Sequence, residues 1–241
     1  MSRLRAASFS GRWSHCSIVD SYNLYNRIHE YINHSPLLGD TSTCRTSSAD
    51  LSCHLREAFD CLAGAFRTLG PRNVMVAFNG GKDATVVFHL FRACLAAHYV
   101  EVECQGQDVA ELSVPAPGAV YFRCPDEFAD MVTFAEEQTS DHGFVLTFQE
   151  HSVITGMTKV IHSHVVKYGV GSVVGTVLGT RMGDPNEGSL QFFEPSSPHF
   201  PSFFRINPII KWTYGCVWKF LLQFDLAYAK MYDQGYSSIG T

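Results

Sequence analysis

The sequence predicts an α/β fold, a parallel sheet with helices on both faces, followed by an irregular C-terminal extension. Three observations point there. Short apolar runs alternate with amphipathic stretches from residue 73 to residue 178, the pattern of strand–helix units paired in parallel. The first run passes through two glycines and a lysine straight into a helix. Beyond Asp184 the periodicity stops and phenylalanines gather without order.

The elements follow in turn. Residues 17–33 place Ile18, Tyr22, Tyr25, Ile28 and Ile32 at helical spacing. Residues 36–48, rich in Ser, Thr, Gly and Asp, read as a loop. Residues 51–69 form a second helix with Leu55, Phe59, Leu62 and Phe66 on one face, stopped by Gly70-Pro71. Residues 73–78 are a buried strand, 84–97 a helix and 101–118 an inserted loop. Residues 119–122, 144–148 and 172–178 are strands, separated by helices over 126–139 and 153–168. Residues 185–205 are irregular and aromatic, 213–224 a helix and 232–241 a polar loop. Residues 1–72 are therefore expected as a helical segment packed on a 73–241 domain, the whole forming one compact unit.

The 241 residues are 46% hydrophobic and 17% charged, enough apolar material for an ordinary core. A net charge of -5 argues against a general nucleic-acid binder, and no stretch approaches the ~20 apolar residues of a membrane span. The eight cysteines (16, 44, 53, 61, 94, 104, 124 and 216) contain no C-x-x-C pair, so buried reduced thiols are expected in a cytoplasmic protein. Arg3, Arg5 and Arg12 among serines give a faint mitochondrial transit signal, with a frayed tail as the plainer reading. A monomer is the expectation for the oligomeric state, which the sequence leaves open.

In sheets of this kind ligands bind beyond the carboxyl ends of the strands. Two loops lie there. In Asn79-Gly80-Gly81-Lys82-Asp83 the glycines let backbone approach an anion, the helix start offers N–H groups, and Lys82 adds a charge. Asp83 can cap the helix or hold a metal ion. The Walker A pattern fails, because Val76 and Asp83 occupy its glycine and hydroxyl positions. In the second loop, Gly179 permits close approach, Arg181 can pair with phosphate, and Asp184 can hold a ligand N–H or a metal. Asp126 and Glu127 are explained by capping at a helix start. His162 and His164, two apart on a helix, make a poor metal pair. The phenylalanines at 192, 193, 200, 203 and 204 are expected to pack an irregular lid, or to shelter a flat ring.

The glycine loop resembles the Ser-Gly-Gly-Lys-Asp-Ser motif of the PP-loop ATP pyrophosphatases, with Asn79 and Ala84 in the serine places. Three further stretches resemble the eukaryotic FAD synthetases (FMN adenylyltransferases) of that superfamily. These are Gly179-Thr180-Arg181-Met182-Gly183-Asp184-Pro185, Arg205-Ile206-Asn207-Pro208-Ile209-Ile210-Lys211-Trp212, and Tyr232-Asp233-Gln234-Gly235-Tyr236-Ser237-Ser238-Ile239-Gly240. The four stretches occur in the family's order.

The resemblance implies transfer of AMP from ATP to FMN, giving FAD and pyrophosphate, with Mg2+. It puts Asn79, Lys82, Asp83 and Asp184 in catalysis. Ala77, Phe78, the loop Asn79, Gly80, Gly81, Lys82 and Asp83, together with Tyr121, Phe122 and Gly179, would hold ATP. Arg181, Asp184, Ile209, Ile210 and Trp212 would hold FMN, and Asp83 and Asp184 the metal. Arg205 is a weaker phosphate candidate. Lys211 stands where the family has Asp, Met182 where it has Arg, and the family's short basic segment after the last glycine is absent. A phosphosulfate reductase of the same fold would need a reactive late cysteine. The only late one, Cys216, falls in a predicted helix, which counts against that reading. A non-catalytic flavin or nucleotide carrier is the remaining alternative.

Overall fold

The computed structural model describes residues 11–34, 51–104, 113–150, 152–169, 172–184 and 191–238. The expected loop at 36–48, Arg3, Arg5, Cys44 and the segment 239–241 lie outside these residues.

Two helices come first, α1 (His15–His34) and α2 (Leu51–Leu69). Gly70, at φ 83°, ends α2, and a 3-10 turn at Pro71–Asn73 leads into β1 (Val74–Ala77). Then follow α3 (Lys82–Ala97), β2 (Gly118–Phe122), α4 (Ala129–Asp141), β3 (Val145–Gln149), α5 (Val153–Tyr168) and β4 (Gly175–Val177). The chain closes with β5 (Phe193–Pro195), β6 (Phe204–Ile206), α6 (Tyr214–Gln223) and a 3-10 turn at Lys230–Gln234.

The sheet has six strands in the order β3-β2-β1-β4-β6-β5. All neighbours run parallel except β5, which pairs antiparallel with β6 through Phe193↔Ile206 and Pro195↔Phe204. The expected all-parallel sheet therefore carries an antiparallel edge. The segment 185–205, expected to be irregular, supplies two of the six strands. Each is three residues long, too short for an alternating pattern to show.

Alternation along β1 divides the core. Val74 and Val76 join the large cluster with α1, α2, α3 and α6, whereas Met75 packs on the other side with Val120, Met157 and Val160 of β2 and α5. Helix α3 lies between sheet and outer helices, and of its sixteen residues only Asp83 is not buried. A polar knot lies there too, buried at Arg92, Ser21 and His89 and open to solvent at Asp20. Arg92 donates to Asp20 (2.8 Å), Ser21 (3.2 Å) and His89 Nδ1 (2.9 Å), and His142 Nδ1 lies 3.2 Å from Asp20.

Helix α4 begins at Ala129, three residues later than expected, so Asp126 and Glu127 precede it. Glu127 accepts from Arg123 at 2.6 Å instead of capping. His164 bonds Asn73 Oδ1 at 2.9 Å and His162 is exposed, a structural pairing for one and solvent for the other. The phenylalanines of the C-terminal half pack on one another, with Phe193 stacked on Phe204 at 4.7 Å.

Candidate active site

Strands β1 and β4 are neighbours, yet the chain leaves β1 toward β2 and leaves β4 toward β6. The loops after them diverge at the carboxyl edge of the sheet and leave a crevice, as at every such reversal. The cleft there has a volume of about 570 Å³. Asn79, Lys82 and Asp83 line it from one loop, Gly179 and Asp184 from the other, with Phe122 and Arg205 at the sides.

The first loop is fixed from below and from within. Phe78 stacks on Phe88 of α3 at 4.6 Å. Gly80 has φ 76°, and a Cβ there would come 2.9 Å from the Met131 carbonyl oxygen, so only glycine fits. The Asn79 carboxamide oxygen accepts from the Gly81 N–H at 3.1 Å, a side-chain-mimicked turn. The Thr85 hydroxyl donates to the Gly81 carbonyl at 2.9 Å. Finally the Lys82 N–H, at the start of α3, donates to the Tyr232 hydroxyl at 2.8 Å, across 150 residues of sequence.

The charges form one compact set. Lys82 is 4% exposed, with Nζ 3.1 Å from Asp83 Oδ2 and 5.3 Å from the centre of the Tyr214 ring. Arg181 Nε lies 2.8 Å from Asp83 Oδ1, a contact of charges whose N–H is turned off the line to the oxygen. The Arg181 backbone N–H donates to Asp184 Oδ2 at 2.7 Å, and its guanidinium stands 3.5 Å from Oδ1. Asp83 thus makes no side-chain cap, because its oxygens face Lys82 and Arg181 and the N-cap residue is Gly81. Its negative charge still sits in the first turn of α3, where the helix dipole favours it. The two loops touch: a Cβ on Gly179 would lie 2.9 Å from the Asp83 carbonyl carbon. Burial pushes the Tyr232 phenol up to about 12, so it stays protonated while accepting the Lys82 N–H.

Most expected residues converge on this cleft, and some do not. Ala77, Phe78, Asn79, Gly81, Lys82, Asp83, Phe122, Gly179 and Asp184 line it. Gly80 is buried beneath, and Arg181 reaches it through Asp83. Tyr121 faces the interior against Phe148, with burial raising its phenol to about 12, so it does not border the cleft. Ile209, Ile210 and Trp212 are 0%, 3% and 3% exposed and sit in the core. As placed they hold the turn before α6 and offer no surface to a ligand. Lys211 turns away to Glu57 of α2 at 2.6 Å. Two tyrosines went unsingled by sequence reasoning, Tyr214 and Tyr232. The second had a signal in the Tyr-Asp-x-Gly-Tyr stretch, and the first had none.

Among the described residues no group of three or more His, Cys, Asp or Glu could hold a metal ion. Magnesium, however, commonly takes one or two carboxylates and fills its shell with substrate phosphates and water. Asp83 has the chemistry for that role as a half-buried carboxylate beside the glycine loop, and Asp184 is engaged by the Arg181 backbone.

Residues 73–241 match the model of the phosphoadenosine phosphosulfate reductase domain, a span that opens one residue before β1. The chain belongs to this family. Within the reductase-domain family it is similar to a probable FAD synthase of Schizosaccharomyces pombe, 31% identical over 177 residues, 73% of this chain and 62% of that protein. It is 28% identical to a probable FAD synthase of Caenorhabditis elegans over 69% of this chain and 29% of that one. The chain spans less than two thirds of these curated relatives. Its fold matches the crystal structure of Candida glabrata FMN adenylyltransferase in complex with FAD and inorganic pyrophosphate. The TM-score is 0.71 at 20% identity, over 93% of this chain and 72% of that one. The reductase-domain core and the cleft at β1 and β4 therefore lie in one matched span.

Proposed function

We propose that the chain is an FMN adenylyltransferase, moving AMP from ATP to FMN and releasing FAD and pyrophosphate. The observation that carries this reading is the cleft where the Asn79–Asp83 loop meets Gly179 and Arg181, in a chain whose relatives include FAD synthases.

The chemistry asks for placement more than for proton transfer. An FMN phosphate oxygen attacks the α-phosphorus of ATP, the α–β bridge breaks, and the electron pair leaves with pyrophosphate. The attacking phosphate already carries charge near neutral pH, so no general base is required. The protein has to align the two groups and neutralise the charge that builds on the leaving oxygens. Lys82, Arg181 and Arg205 are the cations at hand, and the first two are balanced by Asp83. A triphosphate entering the cleft takes Arg181 from Asp83, which frees a carboxylate oxygen as a second anion arrives. Magnesium, when bound to Asp83 and phosphate oxygens, would offset that negative charge.

The test is direct. Incubation with ATP, magnesium and FMN should yield FAD, followed by chromatography, and absence of both FAD and flavin binding sinks the assignment. Asp83→Ala should lower turnover by roughly a hundredfold or more, the scale of losing a preorganised charged group, with an unchanged circular dichroism spectrum. Retained turnover would remove Asp83 from the mechanism.

A further inference from the structure

Lys82 carries a point charge on a flexible four-carbon stem, yet it is only 4% exposed, and its ammonium pairs with Asp83 Oδ2 at 3.1 Å. That pair alone would hold the charge against the first turn of α3 and neutralise it there. Two aromatic rings approach it from elsewhere in the chain. Nζ lies 5.3 Å from the centre of the Tyr214 ring and 5.9 Å from that of Tyr232, both within the reach of a cation–π contact. The rings have their own support. Tyr214 is the first residue of α6, whose start is fixed by the Thr213 hydroxyl oxygen accepting the Cys216 N–H at 3.2 Å. One turn on, Trp218 meets Tyr214 edge to face at 6.2 Å. The same indole meets Tyr228 at 5.0 Å and Tyr232 at 5.2 Å. Trp218 thus ties α6 to the 3-10 turn at Lys230–Gln234, and both tyrosines beside Lys82 rest on it.

We propose that Tyr214 is a positioning residue for the reaction at the glycine loop: its ring face holds the Lys82 ammonium in place for the phosphates of ATP without neutralising it. The inference rests on the nucleotide reading of the cleft and is independent of which acceptor takes the AMP. Tyr214 does not line the cleft, so it acts through Lys82 and not on the nucleotide.

Electrostatics explain why a ring serves here. A second carboxylate would hold the ammonium, but it would cancel the charge that phosphate needs and repel the phosphate itself. A ring attracts the cation through its quadrupole and carries no net charge. Burial of Lys82 strengthens the contact, because little water competes for the ammonium. Tyr214 itself is 47% exposed. Replacing it opens a surface gap and no buried cavity, so variants at this position are expected to fold.

The experiment is ATP binding to the intact chain, measured by calorimetry with magnesium and without flavin. Tyr214→Phe keeps the ring and should bind ATP as the unmodified chain does. Tyr214→Leu keeps an apolar side chain without the quadrupole, and its affinity should fall about fivefold or more, the scale of a desolvated cation–π contact. Circular dichroism and Tm should match between the two variants. In a Lys82→Met background, Tyr214→Leu should change the affinity by less than about twofold, because the ring then has no cation to hold. If Lys82→Met binds too weakly to titrate, the comparison of Phe with Leu decides. A Leu variant that binds like the unmodified chain, or the same loss in the Lys82→Met background, overturns the proposal. So does a Phe variant as weak as Leu, which would assign the effect to the hydroxyl. A chain with this coupling that forms no FAD would keep the positioning role and lose the adenylyl transfer to FMN, and a chain that binds no ATP sinks both.

Discussion

Tyr232 shows what the residue scale hides from a sequence reader. The Asn79–Asp83 loop is legible because its parts are neighbours: two glycines, a lysine and a helix start state an anion site within five positions. Its last hydrogen bond comes from a tyrosine 150 residues away, and no local rule announces such a partner. The opposite case is Ile209, Ile210 and Trp212, which are buried in the core. Their place in a recognisable stretch suggested ligand contact, but position in a motif does not separate a side chain that touches a ligand from one that holds a turn. Tyr232→Phe tests the residue directly. Removing the acceptor leaves the buried Lys82 N–H unsatisfied, at a cost of about 1–3 kcal/mol. The expected outcome is a weaker affinity for ATP by about tenfold, read by calorimetry, with flavin binding little changed. An unchanged affinity would mean the loop holds its shape unaided.

At the scale of elements, long periodic segments were readable and short ones were not. Helix α2 matches its expected limits, because apolar spacing and the Gly70-Pro71 stop define both face and end. Strands β5 and β6 escaped because three residues cannot display an alternation, and their pairing is decided by the sheet edge they meet. The polar knot that ties α1 to α3 also lacks a sequence signal, and it makes α1 sensitive to acid. Burial first, and Arg92 second, lower His142 from 6.5 to about 4, against the opposing pull of Asp20. The native state therefore binds fewer protons than the unfolded chain in that interval. The stability contributed by neutral His142 is complete above about 6.5 and is lost as the pH falls from there to about 4. His89, more deeply buried and lowered by the same cause, adds in the same direction. Thermal melts should show Tm falling steeply across this interval, and His142→Phe should flatten the decline. An equal decline in the variant would place the acid sensitivity elsewhere.

For the whole molecule, the division of the sequence at residue 72 is one of element pattern, and the packing runs across it. Trp13, Ile18, Leu24, Leu55, Leu62 and Phe66 share a cluster with Val76, Phe88, Leu90 and Phe220. Helix α3, buried on nearly every face, would lose its outer cover without them. A chain starting at residue 73 is therefore expected to be aggregated or insoluble on expression, although this span alone matches the family model. A monodisperse, nucleotide-binding 73–241 fragment would show that α1 and α2 are dispensable to the core. The cleft adds a constraint on order. A ribosome working at about 5–20 residues per second exposes the glycine loop on the order of ten seconds before it delivers Tyr232, the partner of Lys82. During that interval β1 can be paired and α3 wound, but the Lys82 N–H lacks its partner. The bond across 150 residues thus sets an order in time: a chain arrested, nicked or frayed before its last turn keeps the glycines and lacks the hydroxyl that meets the Lys82 N–H.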